Sequence, residues 1–130
     1  MPEPSPDERH LIAGLRQALQ DCASAGETVT YRDLAVRVAF PGPHAIHRLT
    51  ELLETMIRED CAAGRPLLAA LAVSRAQRSS EGHGMPGRGF FQLLTELGRY
   101  DGSDQGPAAA THHARELAAA IAYWSSPARS

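Results

Sequence analysis

Thr28-Val29-Thr30-Tyr31-Arg32-Asp33-Leu34-Ala35, with Phe40-Pro41-Gly42-Pro43 a few residues beyond, is the stretch on which the reading of this chain turns. Glu27-Thr28-Val29 is short and rich in β-branched residues, which predicts an extended entry. Thr30 then offers its hydroxyl to the first amides of a helix, with Asp33 three residues on, so a short helix is expected from Tyr31 to about Val38. The two prolines cannot continue it. Each removes an amide donor and restricts the residue before it, so the segment must turn.

Upstream, Ser5-Pro6-Asp7-Glu8 reads as a helix start, with Ser5 as cap and Glu8 able to return to the cap's amide. Leu11, Leu15, Leu19 and Cys22 form one apolar stripe that ends near Gly26. Downstream, Ile46, Leu49, Leu53, Met56 and Ile57 carry a third helix from about His44 to Ala63, closed by Gly64. Leu67 to Val73 is a short apolar run between turn signals and is expected to be a buried strand, with helix left open as the alternative by its alanines. Arg75 to Gly89 has the glycines and polar residues of an exposed loop or wing. Phe90, Phe91, Leu93, Leu94 and Leu97 predict a helix of about two turns, and Ala108 to Trp124 a final helix whose apolar face is Leu117, Ile121 and Trp124. This order predicts an α+β fold, a winged helix-turn-helix-like domain with additional C-terminal helices. It would occupy residues 7–124, with a disordered tail over 1–6 and a frayed end over 125–130.

A chain of 130 residues, 43% hydrophobic, suits one such domain. Its longest apolar run falls short of the roughly 20 residues of a membrane span, and its N-terminus lacks the basic and apolar regions of a signal peptide. No membrane association and a cytoplasmic location are therefore expected. Cys22 and Cys61 lack metal-ligand spacing and read as buried small hydrophobes. All 13 basic residues are arginine against 15 acids, so the net charge of -2 exerts no global pull on nucleic acid, and a DNA partner would have to be held by a local patch.

The Thr28–Ala35 segment, the Pro/Gly turn and Ala45-Ile46-His47-Arg48 together resemble the DNA-binding domain of the alkylguanine-DNA alkyltransferases and alkyltransferase-like proteins, over about residues 26 to 75. In that family a Thr/Ser-Tyr-x-x-Leu-Ala segment opens the first helix of a helix-turn-helix, and an Ala-x-x-Arg-like segment opens the recognition helix. The resemblance implies that Tyr31 lies near the DNA backbone at an extruded nucleotide and that Arg48 fills the gap in the base stack. A stacking guanidinium there would offset part of the cost of extrusion. The family's Pro-Cys-His-Arg nucleophile box has no counterpart, since Arg65 to Arg75 holds neither cysteine nor histidine. Alkyl transfer is not expected, and neither is any enzymatic activity. A second resemblance, of Arg65-Pro66-Leu67-Leu68 and Met85-Pro86-Gly87-Arg88-Gly89-Phe90-Phe91, is to small bacterial proteins of unknown function. It implies a bacterial chain in which strand, loop and Pro-Gly corner form one unit.

The DNA contacts expected are Tyr31, Arg32 and Arg48, with Arg75, Arg78 and Arg88 from the wing, where arginines reach phosphates or a minor groove. Each has a plainer reading. Tyr31 would be a half-buried aromatic whose hydroxyl finds a backbone partner, and Arg48 a surface arginine paired with Glu51 or Glu54. Glu51, Glu54, Glu59 and Asp60 put acids on the recognition helix that oppose phosphates, which favours an alternative: a protein-interaction module or subunit that engages a partner through this helix. His44, His47 and Glu51 share a helical face, but they are fewer than the four ligands of a structural zinc site, so no metal and no cofactor is expected. His112 and His113 read as surface residues. His83 beside Ser79, Ser80 and Glu81 lacks an arrangement that would support hydrolysis. The expected assembly is a monomer or a homodimer through the last helix.

Overall fold

A computed structural model describes residues 4–78 and 84–125. Helix α1 (Pro6–Ala25) begins with a capping box: the Ser5 hydroxyl accepts from the Glu8 amide and the Glu8 carboxylate accepts from the Ser5 amide. Ser5 caps this helix as its sequence predicts, so Ser5 and Pro6 belong to the helix start and not to a tail over 1–6. Strand β1 (Val29–Thr30) runs into α2 (Tyr31–Arg37), where the Thr30 hydroxyl accepts from the Asp33 amide. After the Pro/Gly turn comes α3 (Ala45–Ala63), ended by Gly64 at φ 71°, the left-handed conformation a helix C-terminus favours in glycine.

The run from Leu67 to Val73 is not one strand. Leu68–Leu71 forms a 3₁₀ turn, and only then does β2 (Ala72–Arg78) begin. The run is buried as expected, but buried polar contacts pull its backbone into a turn. The Leu68 amide donates to the buried Asp60 carboxylate and the Ala70 carbonyl accepts from His113. Much of the expected loop is likewise extended: β2 reaches Arg78, and β3 (Gly84–Met85) pairs back on it. Helices α4 (Arg88–Glu96) and α5 (Pro107–Trp124) complete the chain.

The architecture is mixed α+β, mostly helical, with strand order β1-β2-β3. β1 lies parallel to β2, Val29 beside Ala72 and Thr30 beside Val73, whereas β2 and β3 are antiparallel with an irregularity between Ser74 and Arg78. Leu15 and Leu19 of α1, Leu49 and Met56 of α3, the 3₁₀ turn and Phe91 and Leu94 of α4 meet in one core.

The face that α5 turns to the core differs from the expected one. Its buried residues are Ala109, His113, Glu116, Ala120 and Trp124, while Leu117 and Ile121 are only partly buried. Small alanines let α5 approach closely, and its polar residues are satisfied inside: the His113 Nε2 donates to the Ala70 carbonyl at 2.9 Å and Glu116 takes a two-pronged hydrogen bond from Arg99. His113 is thus a core residue and not a surface one. Among the described residues no helix is long and apolar enough to cross a membrane.

Candidate nucleic-acid interface

Helix α3 has two differently charged halves. Leu49, Leu52, Leu53, Met56 and Ile57 turn inward along its length. At its C-terminal end Glu59 and Asp60 face α1, Asp60 fully buried and Glu59 partly open to solvent. Glu59 pairs with Arg9 at 2.9 Å and Arg16 at 3.1 Å, and the fully buried Asp60 pairs with Arg16 at 3.1 Å and Arg65 at 2.9 Å. Two of the four acids that opposed DNA on this helix are thus neutralised in a seam between elements. Glu51 and Glu54 remain exposed.

The exposed residues at the N-terminal end are His44, Ile46, His47 and Arg48. Arg48 pairs with neither Glu51 nor Glu54. Its guanidinium lies over the Phe40 ring at 5.5 Å and donates to the Pro41 carbonyl at 3.2 Å, folding back on the turn that precedes the helix. Gly42, at φ 83°, sits directly beneath it, and a Cβ there would stand 3.4 Å from the guanidinium. The side chain therefore stays in water at the start of the helix, docked on an aromatic face that suits its planar cation. His47 Nε2 is 3.6 Å from a Glu51 carboxylate oxygen.

Tyr31 is half-buried between α2, α3 and the start of α4, and its hydroxyl accepts from the Gly87 amide at 2.9 Å. Burial pushes its phenol above the usual tyrosine range, the Gly87 hydrogen bond partly opposing. This is the arrangement of an aromatic that ties two segments together. The bond brings the Pro86-Gly87 corner, and with it the backbone of Arg88, against the beginning of α2. Arg32 is exposed on α2. Arg75 and Arg78 fall on β2 and Arg88 opens α4, but their side chains lie outside the described residues, as do His83, Ser79, Ser80 and Glu81.

Beside Tyr31 opens a cleft of about 190 Å³ that the sequence reading missed. Leu53, Ile57, Ala69 and Phe90 make its apolar wall, and Tyr31, Thr50 and Glu54 supply its polar groups. Gly87 and Gly89 keep it open: a Cβ at Gly87 would stand 3.8 Å from the Tyr31 hydroxyl, and one at Gly89 3.5 Å from a Glu54 carboxylate oxygen. The cleft wall shields part of Glu54, whose carboxyl is pushed above the usual range by that burial, with Arg58 opposing and Glu51 and Glu96 adding to the rise. The only trace of this site in the sequence is the pair of glycines flanking Arg88.

Among the described residues no group of three or more His, Cys, Asp or Glu side chains is placed to hold a metal ion. Both cysteines are free; Cys22 is buried, whereas Cys61 is only partly so. Compared with known protein families, with curated proteins and with solved structures, the chain matches none.

Proposed function

We propose that this protein is a non-enzymatic DNA-binding protein of winged helix-turn-helix plan, docking the first turns of α3 in a groove with the β2-β3 hairpin as its wing. The observation that carries this reading is the withdrawal of Glu59 and Asp60 into the α1 seam, where Arg9, Arg16 and Arg65 neutralise them. It leaves the start of α3 with the exposed side chains of His47 and Arg48, the latter docked on Phe40 and the Pro41 carbonyl and to be released on binding, at the end of a recognition helix that meets base edges. Tyr31 acts here by position, holding the hairpin base against α2 through Gly87. Arg32 and Arg48 are the contacts from the helix pair, Arg75 and Arg78 those of the wing, and Arg88 adds a third arginine beyond it at the start of α4. The segment from Leu67 to Ala72, where the resemblance would place a nucleophile, is buried and apolar, which supports a role in binding without alkyl transfer.

The test is fluorescence anisotropy with a labelled duplex across a salt series. Binding should weaken linearly in log-log form with a slope of about -0.9 for each phosphate neutralised. Arg48→Ala should lower affinity more than Arg58→Ala, whose guanidinium pairs with Glu96 at 3.6 Å on the flank of α3. No binding at low salt would end this reading.

A second reading has its own observation. Val36 is 75% exposed and Ile46 41% exposed, both large apolar side chains, and Glu51 and Glu54 remain outward on α3. Such a mixture of apolar and acidic groups fits a basic protein partner. Loss of that partner on Glu51→Arg, in a chain that ignores DNA, is the result this reading requires.

A further inference from the structure

We propose that the cleft between Tyr31, Glu54 and Phe90 binds a small organic cation, a single aromatic ring bearing a short primary-amine arm. The shape sets the first half of that description. A cavity of about 150 Å³ holds one benzene ring, and this cleft offers about 190 Å³ against the apolar side chains of Leu53, Ile57 and Phe90. The charge sets the second half. Among the described residues the Glu54 carboxylate makes no hydrogen bond and no ion pair, although Arg58 lies one helical turn away, because the Arg58 guanidinium is directed to Glu96. A carboxylate at the edge of an apolar pocket, partly stripped of water and, among the described residues, with its nearby cations Arg58 and His47 acting only from beyond ion-pair distance, is the complement of an ammonium group.

Gly89 makes the carboxylate reachable from the cleft, since any side chain there would begin 3.5 Å from it. The Tyr31 hydroxyl accepts from Gly87 and keeps its own proton to donate, so a ligand with an acceptor on its arm gains a second anchor. Anions of the same size are refused by Glu54. A ligand so placed presses on the Tyr31–Gly87 link between α2 and the β3-α4 corner and so bears on the set of the hairpin. That consequence rests on the DNA-binding reading, whereas the binding itself does not.

The test uses the full chain without DNA, with benzylamine as the probe and benzyl alcohol and phenylacetate as its neutral and anionic counterparts. Amide spectra should show saturable shifts at Gly87 and Gly89 with benzylamine, weaker ones with benzyl alcohol and none with phenylacetate. Glu54→Gln, an exposed substitution that leaves the fold intact, should cut benzylamine affinity by about tenfold or more, as the loss of a charged hydrogen bond requires, while leaving benzyl alcohol unchanged. Gly89→Val should abolish both by filling the cleft. Absence of saturable benzylamine shifts, or an affinity indifferent to Glu54→Gln, overturns the proposal. Anisotropy with duplex DNA is then read separately: DNA binding without benzylamine binding removes the cleft and keeps the interface, and the converse removes the interface and keeps the cleft.

Discussion

Asp60 shows how one residue changes meaning on folding. In sequence it is one of four acids along a helix and counts against nucleic acid. In the structure it is fully buried, its two oxygens shared by Arg16, Arg65 and the amide of Leu68. It ties α1, α3 and the 3₁₀ turn together at one point. Asp60→Ala would leave Arg16 without one of its acids and the Leu68 amide without an acceptor, and breaking a buried pair in this way costs about 3–5 kcal/mol. Because Arg16 and Arg65 reach solvent, the lower end is expected, measured as a drop in unfolding free energy in urea at unchanged m-value. A cost no larger than that of an ordinary surface substitution would show that the seam contributes little. None of this was legible beforehand: the partners of Asp60 lie 44 residues before it and 5 and 8 residues after it, and no local pattern links them. Tyr31 is the opposite case. A tyrosine at a helix start, beside a β-branched entry, already called for a half-buried ring with a backbone partner, and only the partner's name, Gly87, was missing.

At the scale of elements, the boundaries written into short-range chemistry match the structure closely. Ser5 and Thr30 cap α1 and α2, and Gly26 and Gly64 close α1 and α3 in the left-handed conformation. Thr30→Ala should destabilise the protein by about 1 kcal/mol, with Thr30→Ser restoring most of it, because only the hydroxyl serves the Asp33 amide. Thermal unfolding of the three proteins side by side checks this, and equal midpoints for Ala and Ser would remove the cap from the account. Elements whose form depends on distant partners were less legible. The 3₁₀ turn looks like a strand in sequence because burial on all sides erases periodicity. The buried stripe of α5 runs through Ala109, His113, Glu116, Ala120 and Trp124, and leaves Leu117 and Ile121 only partly buried. Close packing favours alanine where backbones approach, and the Trp124 indole is fixed by donating to the Pro66 carbonyl at 3.0 Å.

For the molecule as a whole, buried titratable groups set the pH range of stability. Burial holds His113 below the usual histidine value of 6.5, the hydrogen bond to Ala70 partly opposing. The unfolded chain therefore takes up a proton first, so the stability His113 confers is complete above about pH 6.5 and is lost as pH falls below it. At the other end, burial raises the Tyr31 phenol and the Cys22 and Cys61 thiols. The fold favours their protonated forms, and stability should decline as pH rises past the free-thiol value of 9.0 and the free-phenol value of 10.0. His113→Gln, which keeps a donor toward Ala70 but cannot titrate, should flatten the acid limb of a stability-pH curve and leave the alkaline limb in place; an unchanged acid limb would assign it to other groups. Local chemistry in the chain was enough for the order of the α-helices, the caps of α1 and α2, the closing glycines of α1 and α3 and the α+β class, because caps, turns and helical stripes are written within a few residues of one another. The fold in three dimensions set the rest: that Asp60 is buried and Glu59 paired with arginines of α1, that His113 enters the core and that Tyr31, Glu54 and two glycines line a cleft. Those outcomes depend on which residues distant in the chain become neighbours, and on the cost of burying a charge or a donor without a partner.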